Sequence, residues 1–181
     1  MADPILVVPY EASWAKLFEE LGAELRAALG ETALRIDHIG STAVPGLDAK
    51  PILDLQISVV GLEPVDAYRA AIERVGFVLQ PDNPERTKRY FREAPGRRRT
   101  HLHVRRWGSW GEQFALLFRD YLRCHAADAR RYAALKYELA KQYRSHREGY
   151  VAAKAPIIWE LMQLADRWSQ VTGWEPGPSD A

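Results

Sequence analysis

Residues Ile36–Ser58 read IDHIGSTAVPGLDAKPILDLQIS, and the rest of the chain is placed around them. Leu34 and Ile36 alternate with Arg35 and Asp37, so Ala33–Ile39 is expected to be a strand. Gly40–Leu47 is too broken by glycine and proline to continue it. Ile52–Val60 is apolar and β-branched, the pattern of a central strand, with Pro51 at its first position, where proline is tolerated. A period of two puts Asp54 and Gln56 on one face of that strand and Leu53, Leu55 and Ile57 on the other. A buried strand that accepts an acid and an amide side by side points to a site. The loop before it offers Gly40, Ser41 and Thr42, whose backbone N–H groups and hydroxyls suit phosphate oxygens, and Lys50 adds a charge. The Gly-Ser pair alone reads equally well as a tight turn.

Outward from this core, Trp14, Leu17, Phe18, Leu21, Leu25 and Leu29 fall at helical spacing and Gly30 stops the helix. Pro64–Val75 reads as a second helix closed by Gly76. Phe77–Leu79, Lys88–Arg92 and Thr100–Trp107 are strand candidates, the last two joined by a turn at Ala94–Gly96. Beyond Trp110 the period is helical throughout, and Gly173–Ala181, rich in Gly and Pro, is expected to fray. The order predicts an α+β fold: a short mixed sheet flanked by helices, with a C-terminal helical bundle. We divide it as 1–109 for the core, 110–172 for the helical part and 173–181 for a flexible tail.

The 181 residues hold 25 basic and 24 acidic side chains with 47% apolar residues, which excludes both a disordered chain and a general polycation. The single Cys124 fits a reducing compartment, no apolar run reaches membrane-spanning length, and residues 1–30 carry acids where a signal peptide would be apolar. A cytoplasmic protein with no membrane partner is expected.

Thr100–Val104 reads THLHV. Alternation puts His101 and His103 on one face, about 6–7 Å apart at the backbone, a spacing that serves one metal or flanks one ligand. If this strand lies beside Ile52–Val60, both histidines join Asp54, and His38 could point the same way. Between Arg86 and Arg106 nine basic residues face one acid, Glu93. That field suits a phosphorylated metabolite or RNA, or else is a charged edge hairpin that resists aggregation. Tyr132 with Lys136, and Tyr150 with Lys154, share helix faces at i, i+4. Such a face could clamp an anionic substrate, as Arg97, Arg98 and Arg99 could; a tyrosine stripe at this spacing also serves as core. Arg119 and Asp120 are expected to form an ion pair.

The stretch Asp37–Val59, with RTHLHV, FRDYLR and YAALKYELA, resembles the GrpB family over about Val8–Ile158. The family is similar in turn to the nucleotidyltransferase fold and to a domain fused to some dephospho-CoA kinases. The resemblance implies that Gly40 and Ser41 hold a nucleoside triphosphate, and Thr42 and Lys50, from the loop's own chemistry, are expected to join them on the phosphates. It also implies that Asp54 stands at the first acid of a two-metal site, with Gln56 where the second acid is expected. The neutral amide argues against ordinary two-Mg²⁺ chemistry and leaves Asp54, His101 and His103 as ligands of one divalent ion (Mg²⁺, Mn²⁺ or Zn²⁺, the histidines favouring the softer ions). The implied activity is nucleotidyl transfer to, or activation of, a small-molecule acceptor, with Asp54 and Gln56 at the catalytic position. The alternatives are a non-catalytic nucleotide-binding module and an RNA-binding protein.

Overall fold

In the computed structural model, which describes residues 4–181, the first helix α1 (Ser13–Leu29) lays Trp14, Phe18, Leu25 and Leu29 against a sheet. It ends at Gly30, whose φ of 51° only glycine adopts readily. The chain continues through β1 (Arg35–Ile39), β2 (Leu53–Val59), α2 (Asp66–Arg74), β3 (Phe77–Leu79), β4 (Lys88–Glu93) and β5 (Thr100–Arg106). Three helices follow: α3 (Trp110–Cys124), α4 (Ala126–Gln142) and α5 (Arg147–Thr172). The five strands form one mixed sheet in the order β1-β2-β5-β4-β3, in which only β2 and β5 run parallel. The α+β fold expected from the sequence is the one observed.

One face of the sheet carries Ile36, Leu53, Leu55, Ile57, Leu102, Val104 and Phe91, and α1 and α2 bury it. The opposite face is covered over part of its length by α3. There Glu112, fully buried, accepts from the Ser58 hydroxyl and from Gly108 N–H, and its carbonyl accepts from Gln56 Nε2 at 3.3 Å. The helical part packs around Tyr121, Leu122, Tyr132, Ile157 and Leu161, and Val44 and Leu47 of the Gly40–Leu47 loop belong to that same core. The loop is thus held between sheet and helices.

Residues 173–181 depart from expectation. Trp174 donates to Asp120 and to the Ser169 carbonyl. Residues 177–181 lie along the outer edge of β1, where Ser179 and Asp180 accept from the Ile36 and His38 amides at 2.8 and 2.9 Å. An edge strand has unpaired N–H groups, and here side chains satisfy them.

Arg119, 3% exposed, ties these parts together. Its guanidinium donates to the His38 carbonyl at 3.0 Å and pairs with Asp120 at 2.7 Å and Asp180 at 2.8 Å. The Arg119–Asp120 pair expected from the sequence is therefore present. Arg119→Met should destabilise the chain by about 3–5 kcal/mol, since it leaves carboxylates without their buried partner. The measure is a lowered urea midpoint at unchanged slope.

Candidate functional site

β2 and β5 pair so that Asp54 sits beside His101 and Gln56 beside His103. The Asp54 carboxylate accepts from His101 Nδ1 at 3.0 Å and lies 3.7 Å from His103 Nε2. A carboxylate only accepts, so His101 carries its proton on Nδ1. Burial pushes the Asp54 carboxyl up, but hydrogen bonds and charge from the two histidines outweigh it and hold it well below the ordinary carboxylate range. Burial in turn pushes the His103 imidazole down, against the pull of Asp54. Tyr90 packs against both rings, with centroids 5.8 and 5.3 Å away.

Gly40 ends β1 directly over this carboxylate. Its φ is 71°, and a Cβ there would stand 2.8 Å from Asp54 Oδ2. Glycine is required twice, by backbone conformation and by contact. Ser41 follows in a short 3₁₀ turn, with its hydroxyl accepting from Lys136 Nζ at 3.1 Å.

Lys136 is 3% exposed, also donates to the Asp48 carbonyl, and sits 4.6 Å from the Tyr132 ring centroid. Burial, and then the charge of Lys154, push it down from 10.5 to about 7. Lys50 and Lys154 both lie over the Tyr150 ring, at 5.2 and 4.7 Å from its centroid. Lys154 is pushed down to about 8 by burial and by Lys50, while Lys50 is lowered by burial and by Arg147. Beside Lys50, a cavity of about 130 Å³ is lined by Pro4, Ile5, Ile52, Arg99, Ser145 and Arg147. The ring faces and Asp54 only partly offset this gathering of positive charge.

Several expected residues lie elsewhere. Thr42 is buried, its hydroxyl hydrogen-bonded to His38 Nε2 at 3.0 Å and 3.5 Å from the Ile52 carbonyl, because the 3₁₀ turn rotates it inward, away from a phosphate. His38 points to the α1 face, stacked on Phe18 at 4.8 Å, and burial with the Arg123 charge pushes it down to about 4. Arg97 and Arg98 line a cleft with Leu17, Leu21, Val75 and Gly76, on the α1 side, because the turn before β5 carries them off the Asp54 face; Arg99 alone reaches the Lys50 cavity. Five of the nine basic side chains of the hairpin share three acids. Lys88 and Arg105 pair with Glu85, Arg89 with Glu63, and Arg92 and Arg99 with Glu93. Sequence reading missed Asp48, which accepts from Tyr10 N–H and Tyr137 hydroxyl while its carbonyl takes Lys136. Its Gly46-Leu47-Asp48 setting reads only as a turn.

The groups expected to hold a metal are otherwise engaged. Asp54 is engaged by His101, Gln56 turns its Nε2 to Glu112, and its Oε1 is buried without a partner. Among the described residues no group of three or more His, Cys, Asp or Glu side chains is disposed to hold a metal ion. Asp54, His101 and His103, expected to share one divalent ion, are instead joined to one another by the Asp54–His101 hydrogen bond and as placed do not fit a metal centre.

Comparison with known proteins places the fold first. Cid1, solved with its short product ApU, superimposes with a TM-score of 0.51 at 14% identity over 75% of this chain and 43% of Cid1. A cytoplasmic RNA terminal U-transferase gives 0.51 at 15% over 74% and 43%. Both likenesses concern the fold alone, and that fold is nucleotidyltransferase-like. The GrpB protein family model matches residues 4–164, and the chain belongs to the GrpB family. The crystal structure of the conserved protein GrpB from Enterococcus faecalis matches with a TM-score of 0.78 at 34% identity, over 90% of this chain and 99% of that one. The UPF0157 protein YqkA of Bacillus subtilis is 34% identical over 164 residues, 91% of this chain and 48% of YqkA. A dephospho-CoA kinase of Mycolicibacterium paratuberculosis is 31% identical over 96% of this chain and 49% of the kinase. The chain thus spans about half the length of these two relatives. No helix among the described residues is long and apolar enough to cross a membrane.

Two outcomes are expected from this geometry. Gly40→Ala should cost about 1–3 kcal/mol for the strained backbone alone and displace Asp54, read as a lowered urea midpoint and a shifted His101 imidazole resonance. An unfolded lysine keeps its proton to about pH 10.4. Folded Lys136 releases its proton near 7, so unfolding takes one up between these values and the chain gains stability as pH rises through that window. Lys136→Met should flatten the rise, measured as melting temperature against pH.

Proposed function

We propose that this chain binds the phosphate groups of a nucleoside triphosphate beside the Asp54 end of the sheet. One observation carries the reading: Lys50, Lys136 and Lys154 converge on Ser41 and Tyr150 with their proton affinities lowered by burial and by one another. Cations held this close are stabilised by a polyanion that accepts their hydrogen bonds. Lys136 reaches the Ser41 hydroxyl in the turn after Gly40, and Arg147 and Arg99 line the cavity beside Lys50. The nucleotidyltransferase-like fold supports a triphosphate over other phosphates. Thr42, Arg97 and Arg98 have no part in this site.

Nucleotidyl transfer to a small-molecule acceptor is the second reading. It is favoured by Asp54, which stands at the first acid position and stays ionised between its histidines. Gln56 and the hydrogen-bonded state of Asp54 speak for binding without two-metal chemistry. RNA binding is the weaker course, because five of the hairpin's nine basic groups are already paired with Glu63, Glu85 and Glu93.

Thermal unfolding against ATP, CTP, GTP and UTP, with and without Mg²⁺, Mn²⁺ or Zn²⁺, tests the proposal. A triphosphate at a hundred times its Kd adds about 2.7 kcal/mol, a rise on the order of 5–10 °C in a chain of this size. Lys154→Met should weaken binding at least tenfold, and affinity should fall as pH rises from 7 to 9 and the lysines lose their protons. No rise with any triphosphate sinks the proposal. Labelled product formed by the wild type and lost in Asp54→Asn would establish transfer.

A further inference from the structure

The edge of β1 carries a second, separate site. Arg119, buried to 97% by its 3% exposure, pairs with Asp180 at 2.8 Å, and the same carboxylate accepts from His38 N–H at 2.9 Å. Ser179 Oγ accepts from Ile36 N–H at 2.8 Å, and Ala181 N–H donates to the Ile36 carbonyl at 3.1 Å. Arg35 donates to the carbonyls of Gly177 and Pro178 at 2.6 and 3.2 Å, and Arg26 to that of Ala181 at 2.8 Å. The methyl of Ala181 seats on α1 at Gly22, where a Cβ on the glycine would come within 2.8 Å of it. These are the elements of a peptide receptor: an open strand edge, guanidinium groups for carbonyls and a carboxylate, and a seat sized for a methyl group. The occupant is stiffened by Pro176 and Pro178, which lowers the entropy lost on docking. It leaves α5 at Gly173, in the left-handed conformation that lets a chain change direction. The family match ends at residue 164, so the occupant lies outside the segment shared across the family.

We propose that the β1 edge, with Arg26, Arg35 and Arg119, is a binding site for an extended polypeptide segment of the type Gly-Pro-Ser-Asp-Ala. Residues 177–181 fill it in cis, and the same segment of a second copy can fill it in trans. The site discriminates by the carboxylate that meets Arg119 and the His38 amide, and by the small residue after it.

The test uses the full chain, as wild type and as Asp180→Ala, which loosens its own segment. Asp180 is partly exposed, and in this variant buried Arg119 keeps Asp120 and the His38 carbonyl as partners. Hydrogen exchange at the His38 amide should be at least tenfold faster in Asp180→Ala, and Ser179→Ala, which removes no charge, should speed Ile36 instead. A fluorescent peptide of residues 174–181 should bind Asp180→Ala at least tenfold more tightly than wild type, by anisotropy, and slow His38 exchange again. A peptide with alanine for its aspartate should lose at least tenfold. Unchanged His38 exchange in Asp180→Ala overturns the proposal. So do failure of the peptide to bind that variant, equal binding to both chains, and indifference to the aspartate. None of these readouts depends on a nucleotide.

Discussion

The parallel pairing of β2 with β5 is the constraint on which both the core and the site rest. Side chains alternate across a strand, so a slip of one residue would exchange Asp54 for a leucine on the site face and put the carboxylate into the layer under α1 and α2. The register is held from both sides. Leu53, Leu55 and Ile57 interlock with Leu102 and Val104 on one face, while Gln56 and Ser58 are fastened to Glu112 on the other. Holding Asp54 between His101 and His103 is therefore a by-product of packing two apolar rows. Damage to that packing will appear at the carboxylate before it appears in the helices.

Positive charge is organised around aromatic rings. Tyr150 supports Lys50 and Lys154, and Tyr132 supports Lys136. A ring face eases the desolvation of an ammonium group without spending a carboxylate on it. Lys50 and Lys154 thus meet a ring face where a salt-bridged cluster would place carboxylates, while Lys136 also donates to Ser41 and to the Asp48 carbonyl. The hairpin shows the contrary arrangement, with basic groups matched to glutamates along its surface.

Much of this was legible in the sequence. Period-two alternation in LDLQIS and THLHV put Asp54, Gln56, His101 and His103 on chosen faces, and pairing of the two strands brought the faces together. Helical period found α1 and the tyrosine–lysine pairs. Alternation has no force in irregular chain, and there the reading failed: Thr42 turns inward in a 3₁₀ segment, and Arg97 and Arg98 leave the site face at a turn. Charge counted between Arg86 and Arg106 missed Glu85, one residue before that stretch, and Glu63, 23 residues before it, which both pair with the hairpin. Composition misjudged residues 173–181, because Ser179 and Asp180 find partners 143 and 142 residues away and no local pattern carries that information.

The crossover between β2 and β5 also fixes the order in which the molecule can assemble. Asp54 and His101 are 47 residues apart, and the segment along β1 closes over 142 or more. Helices form within about a microsecond, whereas non-local strand pairing must first meet the entropy of closing its loop. A chain emerging from synthesis can fold α1 and pair β1 with β2 early. Asp54 gains its histidines only once β5 exists, and the β1 edge stays open until residues 177–181 arrive. During that interval the edge presents unpaired N–H groups, and residues 177–181 double as its cover.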